Sequence, residues 1–229
     1  MVTLTHIPFS FDKNQLFDMF RIRNDSSRAK EFEDLLDEVQ KKGKPKALYK
    51  VSFIDEKNTN SITIDRVQFT SVVLRKNLDA IERVFPFVIT CGTEMDEIKV
   101  EGNLQKKMWI AFLKGSLLQS SMQYLQTHIT KQYKVSNLSH MNPGSGDASV
   151  WPIEQQKQLF SIFGDVEKIV GVRLTKSLSL APDMSGSGIL FPTEVTFVSC
   201  QLCHRENCVL RKAQFGKELW ESMKIEDNI

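Results

Sequence analysis

The chain has 229 residues, 41% of them hydrophobic, with 30 basic against 28 acidic side chains and a formal net charge of +2, a size and composition able to bury one sizeable core. Charges of both signs are spread along it, which excludes the basic stripe of a nucleic-acid binder and the acidic tail of a disordered chain. The stretch Met1 to Phe11 lacks the long apolar core of a signal peptide. The most apolar helical stretch, 108–129, is interrupted by Lys114, Gly115 and several Gln and Ser, too polar to lie in hydrocarbon; a soluble, cytoplasmic protein is expected.

In chain order, Asp25-Ser26-Ser27 offers helix-capping chemistry. Phe32, Leu35, Leu36 and Val39 then recur at helical spacing until Gly43 and Pro45, which predicts an amphipathic helix. Tyr49, Val51 and Phe53 alternate with polar residues, as do Ile62 and Ile64 beyond a polar 56–60 turn, the pattern of a hairpin. Val84 to Thr90 is a short apolar run ending at Cys91-Gly92 and reads as a buried strand, with a helix expected from Glu94. Met108, Phe112, Gly115, Leu118, Met122, Leu125 and Ile129 then mark the apolar face of a central helix, its Met residues filling core gaps. A single domain over 1–229 is expected, with a helix and hairpin part (1–135) and a motif-bearing part (136–229).

The second part carries the chemistry. A loop from Ser139 to Ser149 reads His140-Met141-Asn142-Pro143-Gly144-Ser145-Gly146-Asp147 and runs to Trp151, after which Pro152 opens a helix with Ile153, Gln156, Phe160 and Phe163 turned inward. Glycines let backbone approach a ligand closely, and free N–H groups before a helix suit polar or anionic atoms; a solvated turn fits the same composition. Trp151, beside the glycines, is placed to cover the flat face of a ligand. Gly171 to Ser177 then reads as a strand with Arg173, Thr175 and Ser177 on one face. A Ser185-Gly186-Ser187-Gly188 turn follows, leading into Ile189-Leu190-Phe191.

Three of the four cysteines fall at Cys200, Cys203 and Cys208, which suits a reducing compartment and a local metal or redox site better than a disulfide framework. Three soft ligands fit zinc or an iron–sulfur cluster. Arg205, Arg211 and Lys212 would favour ionised thiols, and Cys91 or His204 are candidates for a fourth ligand. Reduced thiols in a strand and turn are the plainer alternative. His6, His128 and His204 are too far apart for a hydrolytic zinc motif and read as structural. Trp109 and Trp220 read as core. No nucleophile elbow, phosphate loop or dinucleotide fingerprint is present.

Taken together, Pro143-Gly144, then Gly171, Leu174, Thr175, Ser177, Pro182, Ser185, Ser187, Gly188 and Phe191 follow the order and spacing of the reactivation domain of cobalamin-dependent methionine synthase. That domain has a Pro-Gly-Tyr loop before a helix, then Gly-x-x-Leu-Thr-x-Ser, a Pro and a Ser-x-Ser-Gly turn. Gly146-Asp147, Trp151-Pro152, Thr90-Cys91-Gly92-Thr93-Glu94 and Cys200-x-x-Cys203-x4-Cys208-x-x-Arg211 resemble the shorter, stand-alone relatives of that domain. The resemblance implies an α+β fold with a bent, mainly antiparallel sheet and flanking helices, and a shallow groove for S-adenosylmethionine. It also implies a surface that caps a separate corrinoid-carrying protein or corrinoid methyltransferase, supporting its methylation or reductive reactivation with electrons from a further donor. The candidate ligand contacts are then His140, Asn142, Gly144, Ser145, Gly146, Asp147, Trp151, Ser185 and Ser187.

Three positions depart from the pattern. Where the family has an Arg and a Tyr flanking its loop Gly, this chain has His140 and Ser145, and Lys176 replaces an acidic residue. A guanidinium is a permanent planar donor for a carboxylate, and losing such a charge-assisted bond costs roughly 1.5 to 3 kcal/mol unless His140 is protonated beside a carboxylate. The alternative reading is a metal-binding electron-transfer or scaffold protein of a corrinoid methyltransferase system that turns over no S-adenosylmethionine.

Overall fold

The computed structural model describes residues 1–100, 102–208 and 211–223. It opens with β1 (Val2–Leu4), α1 (Lys13–Phe20) and α2 (Ser27–Lys42). The last of these is the expected amphipathic helix. The Ser26 hydroxyl accepts the Ala29 N–H at 3.2 Å, Phe32, Leu35, Leu36 and Val39 are buried, and Gly43 ends it.

Four strands follow, β2 (Lys46–Tyr49), β3 (Ser52–Lys57), β4 (Ser61–Ile64) and β5 (Val67–Thr70), then α3 (Val72–Asn77) and β6 (Arg83–Thr90). The hairpin of β3 and β4 forms as expected, but the expected alternation does not run through it from Tyr49. Between β2 and β3 the chain bends at Lys50 and Val51, and the Lys50 N–H donates to Pro86 O at 3.1 Å. The bend shifts the two-residue phase, so Ser52 is buried and Phe53 is 58% exposed.

A 3₁₀ turn at Thr93–Glu97 stands where a helix was expected from Glu94. Next comes α4 (Leu104–Tyr133), of 30 residues, whose first turn is capped by Asn103. Its buried stripe is Trp109, Leu113, Leu117, Ser121, Leu125 and Ile129, one position away from the expected start, and Met108 and Phe112 face outward. Trp109 sets this rotation because its ring packs edge-on against Phe32 of α2, centroids 5.0 Å apart. No helix among the described residues is long and apolar enough to cross a membrane.

The second part begins with β7 (Leu138–Met141), so the first residues of the expected loop are a strand. After a 3₁₀ turn at Ile153–Gln155 come α5 (Gln156–Ser161), α6 (Val166–Val170), the two-residue pair β8 (Arg173–Leu174) and β9 (Leu180–Ala181), and then β10 (Ser185–Pro192) and α7 (Lys217–Met223). The strand expected over Gly171 to Ser177 is thus reduced to β8. Nor is Ser185 to Gly188 a turn: it is the first half of β10, which pairs antiparallel with β6 from Ser185↔Thr90 to Leu190↔Phe85 and with β7 from Ile189↔Met141 to Pro192↔Leu138. Its glycines serve close approach, since a methyl on Gly188 would collide with the Met141 carbonyl oxygen and the Asn142 side chain.

The result is a mixed α+β architecture with a bent antiparallel sheet ordered β1-β2-β6-β3-β4-β5, in which β6 also carries β10 and, beyond it, β7. Both parts of the chain contribute strands to this one sheet. Alternation on β6 sends Phe85, Phe87 and Ile89 toward Leu125 and Ile129 of α4, and Val88 toward Val166 and Val170 of α6. The last six positions of the part assigned from 136 to 229 lie outside the described residues, as do the two between Cys208 and Arg211.

Candidate functional site

β7 is paired with β10 on one side, and the segment after β10 folds back along it. The Thr193 N–H donates to Asn137 O at 3.2 Å, and the Phe197 N–H donates to the Ser139 hydroxyl at 2.9 Å. Between β7, the loop that leaves it and this returning segment lies a cavity of about 330 Å³, lined by His140, Asn142, Ser145, Phe197, Cys200 and Lys212 among others. That volume is at the lower end of the range for small-molecule sites. Two features read separately from the sequence, the glycine loop and the first cysteine, therefore line one cavity.

The loop is held by backbone hydrogen bonds, three within it and one to Leu202. Gly144 N–H donates to Trp151 O at 2.8 Å, Ser145 N–H to Asn142 O at 3.1 Å, Asp147 N–H to Leu202 O at 3.2 Å and Val150 N–H to Asp147 O at 3.0 Å. The expected row of free N–H groups is thus largely consumed by the protein, which leaves side chains to do the recognition. Gly144 and Gly146 have φ of +80° and +91°, and a side chain at Gly146 would press on Ser199 O at 3.1 Å. Asn142 holds the loop to the sheet, its Nδ2 donating to Ser187 O at 2.6 Å.

Four of the expected contacts are engaged by the protein itself. Trp151 is fully buried, edge-on to Phe69 at 5.7 Å, with its Nε1 donating to Gln155 Oε1 at 3.1 Å, so its ring lies in the core rather than at the surface. The Ser187 hydroxyl, 2% exposed, donates to Gln156 Oε1 at 2.7 Å, and that of Ser185 donates to Thr90 Oγ1 at 3.1 Å. Asp147 turns away from the cavity, accepting from Ser149 N and Oγ and facing His204 Nδ1 at 3.4 Å. Burial pushes its carboxyl up, but the Ser149 bonds and His204 prevail and hold it below the usual carboxylate range. Sequence reading missed Gln155, and it turned Gln156 inward without foreseeing its bond to Ser187. Gln155 also accepts Thr70 N–H at 2.9 Å and donates to Thr70 O at 2.5 Å. The adjacent amides at the junction of the 3₁₀ turn and α5 were the available signal.

His140 faces the cavity with its ring edge-on to Phe87, centroids 6.3 Å apart. Burial, reinforced by the nearby Lys212 ammonium, lowers its pKa, so it is a neutral imidazole near pH 7. The expected route to a charged His140, a neighbouring carboxylate, is replaced by a neighbouring cation.

The cysteine segment is organised by an arginine. The Arg211 guanidinium donates to the carbonyls of Cys200 at 3.3 Å, Cys203 at 3.1 Å and Ala213 at 3.1 Å, and to that of Arg205. Cys200 Sγ accepts the Lys212 N–H at 3.4 Å, while Cys203 lines a separate hollow with His204 and Phe215. His204 is itself held between Phe215 and Trp220, both centroids 4.4 Å away. Cys91 is fully buried in the α1, α2 and α4 core, where burial pushes its thiol up to about 12. Among the described residues no group of three or more His, Cys, Asp or Glu side chains is placed to hold a metal ion. As arranged, the donors do not fit a cluster.

Fold and site thus define a mixed α+β module with a side-chain-lined cavity at the outer edge of a bent antiparallel sheet. No protein-family model matches the chain, and no curated sequence aligns with it significantly. Among solved structures, the crystal structure of the MetH reactivation domain bound to AdoHcy superposes with a TM-score of 0.57, covering 80% of this chain and 75% of that one at 19% sequence identity. The chain therefore has the fold of that reactivation domain.

Proposed function

We propose that the chain binds S-adenosylmethionine in the cavity beside β7 and acts on a separate corrinoid-carrying protein, supporting its methylation or reductive reactivation with an external electron donor. The observation that carries this reading is the fold shared with a domain that holds AdoHcy. It is supported by a cavity of suitable size whose wall includes His140, Asn142 and Ser145, matched independently by the resemblance of the Pro143 to Phe191 motifs.

S-adenosylmethionine, when bound, supplies a sulfonium-activated methyl group. The chain's own contribution is positional. The loop is locked by its internal hydrogen bonds and by Asn142 to β10, so its side chains present a fixed wall to the ligand, and holding a donor in line with an acceptor on another protein supplies much of a transfer rate. Neutral His140 and the Asn142 and Ser145 side chains offer polar contacts, and Phe197 offers an apolar wall that limits water.

Equilibrium dialysis tests the reading. Saturable binding of S-adenosylmethionine and S-adenosylhomocysteine by the full chain is expected, and Ser145→Trp, which fills the cavity, is expected to abolish it while leaving the thermal transition in place. Absence of saturable binding, or undiminished binding by the variant, refutes the cavity as the site.

A further inference from the structure

The cavity has one permanent charge among its lining residues. His140 is neutral, and Gln126, Ser139, Asn142, Ser145, Thr196 and Ser199 are uncharged, which leaves Lys212. Lys212 is brought there by the Arg211 clamp next to it, whose bonds to four backbone carbonyls hold the returning segment in place, and by its own N–H bond to Cys200 Sγ. No carboxylate lies within salt-bridge distance of Lys212 among the described residues. Lys212 and His140 line the same cavity, and the ammonium adds to the burial that lowers the imidazole pKa.

We propose that Lys212 is the anion-recognising residue of this cavity, so that its ligand must present a carboxylate or comparable anion toward Lys212. The inference deepens the function proposed above and rests on it for the identity of the ligand. It accounts for a cavity on β7 that lacks a cation of its own: the charge is delivered from the chain's C-terminal segment, some seventy residues along the sequence from His140. An ammonium is a compact point charge on a flexible stem, so it selects for charge more than for planar geometry. Its strength at a partly solvent-exposed rim depends on ionic strength.

The test compares S-adenosylmethionine with its decarboxylated analogue, which differs only in the missing carboxylate, on the full chain and on Lys212→Gln and Lys212→Arg. The wild type is expected to prefer the carboxylate-bearing compound about 10-fold or more, a factor that corresponds to about 1.4 kcal/mol. Lys212→Gln is expected to bring the ratio near one, and Lys212→Arg to preserve it. Equal binding of the two compounds by the wild type, or an unchanged ratio in Lys212→Gln, overturns the assignment while leaving the cavity reading intact. If neither adenosyl compound binds, the cavity reading fails, and L-methionine against 3-(methylthio)propylamine, followed at the His140 imidazole resonances, decides the anion site alone. Shifts that require the carboxylate and vanish in Lys212→Gln support it; shifts shared by both compounds, or none, overturn it.

Discussion

His140 has a lowered pKa because burial and the Lys212 ammonium both disfavour its cation, and this makes a signed prediction. Below the ordinary imidazole value of about 6.5, the unfolded chain takes up a proton at this position that the folded protein refuses. The associated stability is complete above that pH and is lost as pH falls toward the folded-state pKa. His140→Asn is expected to lose less thermal stability than the wild type between about pH 7.5 and pH 5.5. Equal losses, measured by thermal denaturation at both pH values, would contradict the neutral, cation-flanked imidazole. Gln155 makes the second residue-level case. Replacing it by Leu leaves Trp151 Nε1 and both backbone groups of Thr70 without the partner seen at 2.5 to 3.1 Å. Only the Trp151 Nε1 bond is buried, so at roughly 1 to 3 kcal/mol for a buried group left unsatisfied a loss of that size is expected, read by chemical denaturation.

At the scale of elements, β10 and the returning segment decide whether the cavity exists. Gly188 allows β7 to reach its pairing distance. Gly188→Ala, whose methyl would meet the Met141 carbonyl and the Asn142 amide, is expected to cost about 2 to 3 kcal/mol and to weaken ligand binding with it. A stability within about 0.5 kcal/mol of wild type, the range of inconsequential substitutions, would show that β7 tolerates displacement. Arg211 has the corresponding role in the cysteine segment. Arg211→Met is expected to raise amide exchange over 197–205 far more than Cys203→Ser does, because the guanidinium, unlike the Cys203 thiol, joins four backbone carbonyls. The reverse order would point to a thiol-centred structure, and metal analysis of the same samples would report any bound ion.

For the molecule as a whole, the sequence disclosed what local chemistry controls. The α2 helix is readable because Ser26 and Gly43 punctuate a clean apolar stripe, and β6 because a β-branched and aromatic run stops at Cys91-Gly92. The α+β class and the likeness to a reactivation domain were legible in the motifs from Pro143 to Phe191. What tertiary packing controls was not. Nothing local distinguishes Ser185 to Gly188 as a strand from the turn its composition suggests; its glycines are there because β6 and β7 close on it from both sides. Trp151 looked like a ligand cover by adjacency to the glycines, and only the long-range contact with Phe69 and Gln155 makes it core. The placing of Lys212 beside His140 depends on the whole sheet, since α5, α6 and β10 intervene in the chain between them.

The central claim is that the cavity at the edge of β7 takes an S-adenosyl ligand, and titration of the isotopically labelled full chain with S-adenosylhomocysteine, followed by backbone and side-chain NMR, tests it most directly. The account predicts saturable shifts concentrated at His140, Asn142, Ser145, Cys200 and Lys212. Saturable shifts centred elsewhere, such as the basic hollow of Lys57, Arg75 and Lys76, or no shifts at all, would contradict it.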